Sequence, residues 1–255
     1  MRCCAGWKKC RIGALLGFAW ALAACRLYEP PRYARLTFAP GAPQTRVLMI
    51  GDSLTYYNDL PGLLQQLSAR EKSPIYIEQS TFPLVSLSFH WRMTGAVRRI
   101  GAGHFDYVVL QDFSRRPATS PEDSLQDFVR FNDEVARAGG RSIVFQNWTR
   151  AGLAEDYAAL VATYARVVER TGARLAPIGA AWKICAIEHA EIPLLIDDRH
   201  PTDAGSYLAA CVLYDVLYRK QSADLPMDLP GPDLARAIGQ TLRGIADRAV
   251  ASGAS

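Results

Sequence analysis

This chain has few of the residues that would build a metal site or a disulfide framework. It holds 6 cysteines and 4 histidines in 255 residues, and Cys3, Cys4, Cys10 and Cys25 all fall at its start. The two that remain, Cys185 and Cys211, lack the paired ligands of a zinc site, and His90 and His104 show no metal-ligand spacing. No metal and no cofactor is implied. An oxidising compartment would permit Cys185 and Cys211 to pair, while their apolar surroundings equally suit two buried free thiols. An excess of one charge is missing too. There are 29 basic and 25 acidic residues, and Arg2, Lys8, Lys9 and Arg11 account for the difference. The other basic residues are scattered among acids, which excludes the electrostatic footprint of a nucleic-acid partner. Internal repeats and low-complexity segments are absent.

What is there begins with an N-terminal segment of three parts: a basic start, an apolar run from Ile12 to Ala24, and small residues at its end. These are the parts of a secretory signal, and the run is short for a membrane span. Leu22-Ala23-Ala24-Cys25 is similar to the bacterial lipobox, which predicts lipidation of Cys25; ordinary cleavage after Ala23 is the alternative. A diacylglyceryl group plus an N-acyl chain would anchor the protein firmly. The expected organisation is a signal peptide over 1–24, a tether over 25–44 and one folded domain over 45–255. Pro30, Pro31, Pro40 and Pro43 favour an extended tether. The expected location is a bacterial envelope membrane, at its periplasmic face or the cell surface. Arg26, standing where an aspartate can signal inner-membrane retention, points to the outer membrane.

Beyond Thr45, short β-rich runs alternate with longer helical patterns. Strands are expected near 46–50, 75–79, 106–111, 142–147 and 174–178. Helices are expected near 59–71, 87–101, 121–138, 153–171, 204–219 and 232–250. This alternation implies an α/β fold with a parallel sheet covered on both faces. Val47-Leu48-Met49-Ile50 and Tyr107-Val108-Val109-Leu110 are continuous apolar runs, as strands buried on both faces require. In open sheets of this kind ligands bind beyond the carboxyl ends of the strands, and Ser53, Gln111 and Asn147 all fall there.

Gly51-Asp52-Ser53-Leu54 delivers a serine from a strand end onto the first turn of a helix. Gly51 permits a tight turn, and the free N–H groups and positive end of the helix favour negative charge nearby. Alone, Asp-Ser before a helix is also an ordinary cap. About 150 residues on, Asp197 stands three positions before His200, just ahead of another helix. A carboxylate so placed can orient one ring nitrogen and leave the other to take a proton from a serine. Asp198 could replace Asp197 if the loop folds differently.

These blocks, in this order, resemble the GDSL or SGNH hydrolase superfamily from about Arg46 to Tyr218. The resemblance implies a flavodoxin-like three-layer α/β/α sandwich with a five-stranded parallel sheet. It implies Ser53 as nucleophile, His200 as general base and acid, and Asp197 as the residue orienting it. The middle blocks depart from the family pattern. No glycine stands in Ser80–His90, so a backbone N–H of Val85 or Ser86 would join that of Ser53 in the oxyanion hole. Gly-x-Asn-Asp is replaced by Val108-Val109-Leu110-Gln111-Asp112, as in a branch with a Val-Leu-Gln third block. Gln111 is therefore the candidate side-chain donor, or else a glutamine that satisfies loop backbone.

Asn147, Trp148 and Tyr56 are candidates for the substrate pocket, with Tyr57 and Asn58 beside them. An indole face suits a sugar ring, though such a tryptophan is also ordinary packing. The expected function is a serine esterase that removes O-acyl groups from a small molecule or an envelope glycan. A lipase or thioesterase for acyl chains is the enzymatic alternative. A noncatalytic carbohydrate-binding or assembly lipoprotein on the same scaffold is the alternative from another class.

Overall fold

The computed structural model describes residues 31–226 and 228–253; the signal-like stretch and Cys25 lie outside the described residues. Five strands form one sheet: β1 (Thr45–Gly51), β2 (Ile75–Thr81), β3 (Tyr107–Leu110), β4 (Arg141–Phe145) and β5 (Arg174–Ala176). Their order is β2-β1-β3-β4-β5, and every pair is parallel. Along the chain run α1 (Ser53–Tyr56), α2 (Leu60–Leu67), α3 (Leu87–Met93), α4 (Ala96–Gly103) and α5 (Arg116–Thr119). Then come α6 (Pro121–Arg137), α7 (Asp156–Thr171), α8 (Ile178–Glu188), α9 (Asp203–Tyr218) and α10 (Arg236–Gly253). None of these helices is long and apolar enough to cross a membrane.

The strand residues alternate between two cores. Val47, Met49, Ile143 and Phe145 pack with α2, α8, α9 and α10. Leu48, Ile50, Val108, Leu110 and Val144 pack with α3, α4, α6 and α7. Burial on both faces is why these strands read as unbroken apolar runs. Each fully buried side chain of this size contributes roughly 1.5–3 kcal/mol. The result is a three-layer sandwich with the sheet at its centre.

Three expectations change. The helical pattern over 87–101 is two helices, divided where Gly95 takes φ 73, a conformation that suits glycine. A helix not expected from the sequence, α8, follows Pro177. Ile178, Ala181, Trp182 and Cys185 are buried in it and its apolar residues carry little helical periodicity. The third change is at the start. Residues from Arg32 onward are part of the domain, where a tether was expected up to 44. Backbone N–H groups of Arg32 and Tyr33 donate to Asp59 Oδ2 at 2.8 and 2.9 Å. Tyr33 also packs against the core, and Gln66 Nε2 donates to the Ala34 carbonyl at 2.5 Å. A buried carboxylate needs donors, and this strap supplies them. Cys185 and Cys211 are both free and buried.

At the amino end of the sheet, Asp215 on α9 is 2 % exposed and faces Asp247 and Ser222. Burial first, and then the neighbouring Asp247, pushes its carboxyl up from 3.8 to about 9. The folded protein therefore keeps a proton there that the unfolded chain loses near pH 4. This contribution to stability is complete below about pH 4 and is lost progressively as pH rises toward 9. Asp215→Asn mimics the protonated form. Chemical denaturation across that range should show the variant gaining on the wild type as pH rises; a constant difference would refute the assignment.

Candidate active site

The site is built at the carboxyl ends of β1 and β3, which the strand order makes neighbours. At Gly51 a Cβ would lie 2.7 Å from Thr55 Cγ2 and 2.9 Å from Gln111 Cβ, with Gln111 Oε1 nearer still. Glycine is needed here for close approach, not for unusual backbone angles. The Gly51 carbonyl accepts from His90 Nε2 at 3.0 Å and from the Phe82 N–H at 3.2 Å. Because a carbonyl only accepts, His90 carries its proton on Nε2. Burial favours this neutral ring and lowers its pKa. Asp52 then leaves the strand in extended conformation and caps α1, its Oδ1 accepting from the Leu54 N–H at 2.9 Å. Ser53 is the first residue of that helix and 8 % exposed. Its neighbour Asp52 is wholly buried, and desolvation pushes its carboxyl up to about 7 against the hydrogen bonds from Leu54 and Ser114.

Ser53 Oγ lies 3.0 Å from His200 Nε2, across 147 residues of chain. His200 Nδ1 lies 2.7 Å from Asp197 Oδ2. Asp197 Oδ1 accepts from the backbone N–H groups of Arg199 and His200, both at 2.7 Å. Burial works against the ionised form of Asp197, but the bonds from His200 and Arg199 outweigh it and hold the carboxyl at about 2. An ionised Asp197 fixes the proton on Nδ1 and leaves the Nε2 lone pair toward Ser53. Asp198 does not compete, because it is engaged by Arg150 and by Arg199 Nε. The Tyr57 ring covers the imidazole, stacked at 4.6 Å and 15°. A short bridge between Leu195 and Pro201 and a 2.9 Å bond from Ile196 N–H to the His200 carbonyl close the turn.

The loop after β2 carries Val85 and Ser86. It is joined to the end of β1 through Phe82 N–H, and to the end of β3 because Asp112 Oδ1 accepts from the Leu87 N–H at 2.9 Å. Ser86 Oγ caps α3 by accepting from Phe89 N–H at 3.3 Å. The backbone N–H groups of Val85 and Ser86 have no acceptor among the described residues.

Other expected residues have different places. Gln111 was the candidate side-chain donor, but both of its amide hydrogens are used inside the fold. Oε1 accepts from the Asp52 N–H at 2.6 Å, while Nε2 donates to the Asp112 carbonyl and, at 3.2 Å, to Asn147 Oδ1. Asn147, expected at the pocket, is 1 % exposed and donates to the carbonyls of Asp112 and Ser114 at 2.8 and 2.9 Å. Trp148 is nearly buried, at 3 % exposure. It is stacked on Trp182 at 4.0 Å, and its Nε1 donates to the Arg199 carbonyl at 2.9 Å, supporting the histidine loop. Tyr56 is buried as well. Asp112 and Trp182 were not singled out from sequence, since their roles depend on partners far along the chain. A groove of about 590 Å³ lined by Trp148, Tyr157, Trp182, Lys183 and Ile192 borders the same loop. Among the described residues no cluster of His, Cys, Asp and Glu could hold a metal ion.

No protein-family model and no curated protein matches the chain. Solved structures do. A candidate SGNH hydrolase from Slackia heliotrinireducens is 25% identical with a TM-score of 0.60, covering 68% of this chain and 99% of that one. A DUF4886 family protein from Bacteroides uniformis is 17% identical with a TM-score of 0.71, covering 82% and 95%. An acetyl xylan esterase is 12% identical with a TM-score of 0.55, covering 67% and 98%. The sheet and its flanking helices are the three-layer α/β/α fold that these neighbours share.

Gly51→Ala tests how tightly the strand end is packed. The added methyl must displace Gln111 or Thr55, costing roughly 1–3 kcal/mol and disturbing the serine. The expected result is a lower melting temperature with a loss of any Ser53-dependent reactivity. Wild-type stability in the variant would contradict the packing described.

Proposed function

We propose that this chain, a member of the GDSL/SGNH superfamily, is a serine esterase acting on O-acyl esters. The observation that carries the reading is the row Ser53 Oγ, His200 and Asp197, with separations of 3.0 and 2.7 Å. In the first half-reaction Ser53 Oγ attacks the ester carbonyl carbon while His200 Nε2 takes its proton. The backbone N–H groups of Ser53 and of Val85 or Ser86 stabilise the oxyanion. Collapse of this intermediate breaks the ester C–O bond, and His200 returns the proton to the leaving alcohol. In the second half-reaction water attacks the acyl-enzyme, His200 takes the water's proton and passes it to Ser53, and a carboxylic acid departs. Asp197 keeps the imidazole oriented and stabilises it when charged.

O-acetyl groups on a glycan are our preferred substrate class. The support is by analogy with the acetyl xylan esterase neighbour. A longer acyl chain has a specific feature in its favour: Phe82 and Leu84 are 46 % and 63 % exposed on the loop that carries the proposed oxyanion donors. We further propose that lipidated Cys25 holds the enzyme on a bacterial envelope membrane, with the outer membrane preferred. Cys25→Ser should then move the protein from the membrane to the soluble fraction, and unchanged fractionation would dismiss the anchor.

A fluorophosphonate probe should label the wild-type protein and fail to label Ser53→Ala or His200→Ala. Hydrolysis of acetyl against longer p-nitrophenyl esters and acetylated glycans then separates the two substrate classes. A folded wild-type protein that takes up no probe and turns over none of these esters would favour the noncatalytic reading.

A further inference from the structure

Tyr57-Asn58-Asp59 has no part in the proton transfers described above, yet its backbone is the most unusual in the neighbourhood. Asn58 has φ 53 and ψ 25, and Asp59 has φ 55 and ψ 44. Two successive non-glycine residues in the left-handed region persist only when their surroundings over-determine them. Both are buried, at 4 % and 5 % exposure.

The surroundings are specific. Asn58 Nδ2 donates to the Pro201 carbonyl at 2.9 Å and to Ser206 Oγ at 3.0 Å. It therefore ties the turn after the nucleophile to the peptide that follows His200. Asp59 is held from the other side by the strap. Arg35 grips both of its oxygens, at 2.6 and 2.9 Å, and the N–H groups of Arg32 and Tyr33 add two more donors. Asp59 also caps α2 through the Gly62 N–H at 3.3 Å, and Gly62 has no side chain to obstruct the Arg35 guanidinium.

We propose that Asn58 is a positioning residue for His200, and that residues 32–35 form a latch that keeps it in place through Asp59. One turn supplies both the Tyr57 ring over the imidazole and the amide that fixes the carbonyl of the next residue. Its strained geometry sets the two together. Released from Arg35, Asp59 loses the charge that holds it, and the turn relaxes toward ordinary right-handed angles. The Asn58 amide then leaves Pro201 and the Tyr57 ring leaves His200. The N-terminal segment is by this route coupled to the orientation of the base.

The inference rests on His200 being the base, so its test reads the ring directly as well as the chemistry. The full-length protein is labelled with ¹³Cε1-histidine, and the His200 signal is assigned with His200→Gln. The wild type is compared with Asn58→Ala, Arg35→Ala and Arg35→Lys for the His200 titration, for the downfield proton on Nδ1 facing Asp197, and for fluorophosphonate labelling rate. Asn58→Ala and Arg35→Ala should broaden or lose that proton and shift the titration. They should also slow labelling by about 100-fold, the scale of a small misplacement of a reacting group. Arg35→Lys should recover part of both. Should Asn58→Ala fail to fold, Arg35→Ala decides, because it touches none of the three reacting residues. Folded variants with wild-type His200 signals and labelling rate would overturn the positioning role while leaving the esterase reading intact. Altered His200 signals without probe uptake by the wild type would support the positioning role and reject the esterase.

Discussion

The contact on which the site rests is the hydrogen bond from the Asp52 N–H to Gln111 Oε1, made where β1 and β3 lie side by side. At that point the two chains leave the sheet, and their backbone groups lose the ladder partners they had inside it. A buried N–H or carbonyl without a partner costs roughly 1–3 kcal/mol, so the gap must be closed by side chains. Gln111 closes it on one side and passes its amide hydrogens to the Asp112 carbonyl and Asn147. Asn147 in turn satisfies two carbonyls of the loop after β3. Ser53 thus stands on a floor of mutually satisfied polar groups, which gives its hydroxyl a fixed place from which to meet the imidazole.

The carboxylates of the site illustrate how environment assigns work to one chemical group. Asp112 is fully buried and accepts from Leu87 N–H, Phe113 N–H, Ser124 Oγ and Arg116. Its charge is matched, and it joins the loop bearing Val85 and Ser86 to the end of β3. Asp197 is about half exposed, and three N–H groups of the next residues keep it ionised at all pH values where an imidazole can act as a base. Asp52 has burial without a cation, which raises its pKa to about 7. That value suits a capping group better than an orienting charge.

Three of the five positive-φ non-glycine residues among the described residues lie in the segments that follow β1 and β2. Leu84, Asn58 and Asp59 all have positive φ without being glycine. Leu84 takes the left-handed conformation although the segment has no glycine, with its side chain turned to solvent. Each strained residue needs neighbours that forbid relaxation. For Asp59 those neighbours come from the segment before β1, which is why that segment belongs to the domain.

Much of this was legible in the sequence for local reasons. Unbroken apolar runs marked strands buried on both faces, and spacing of three between Asp197 and His200 let one loop join acid to base. The reading of Gly51-Asp52-Ser53 as a strand end opening a helix needed only glycine, a capping acid and a helical pattern. Long-range pairings left no such local trace. Helix α8 was missed because it packs Ile178, Ala181, Trp182 and Cys185 against α9 and α10 while apolar Ala186 and Ile187 stay exposed, which leaves weak periodicity. The prolines before β1 did suggest extended chain, but they could not show that Asp59 was waiting for its N–H groups.

By itself, then, the sequence determined the alternation of strands and helices and the parallel buried sheet, and it singled out Ser53, His200 and Asp197 as candidates, with Asp198 as the alternative acid. Tertiary structure alone decided that Gln111 and Asn147 support the floor rather than face a substrate, that Trp148 is covered by Trp182, and that the leading segment grips Asp59. The physical reason is that a side chain's chemistry is fixed by its type. What that chemistry is spent on depends on which unpaired partner the fold brings within about 3 Å.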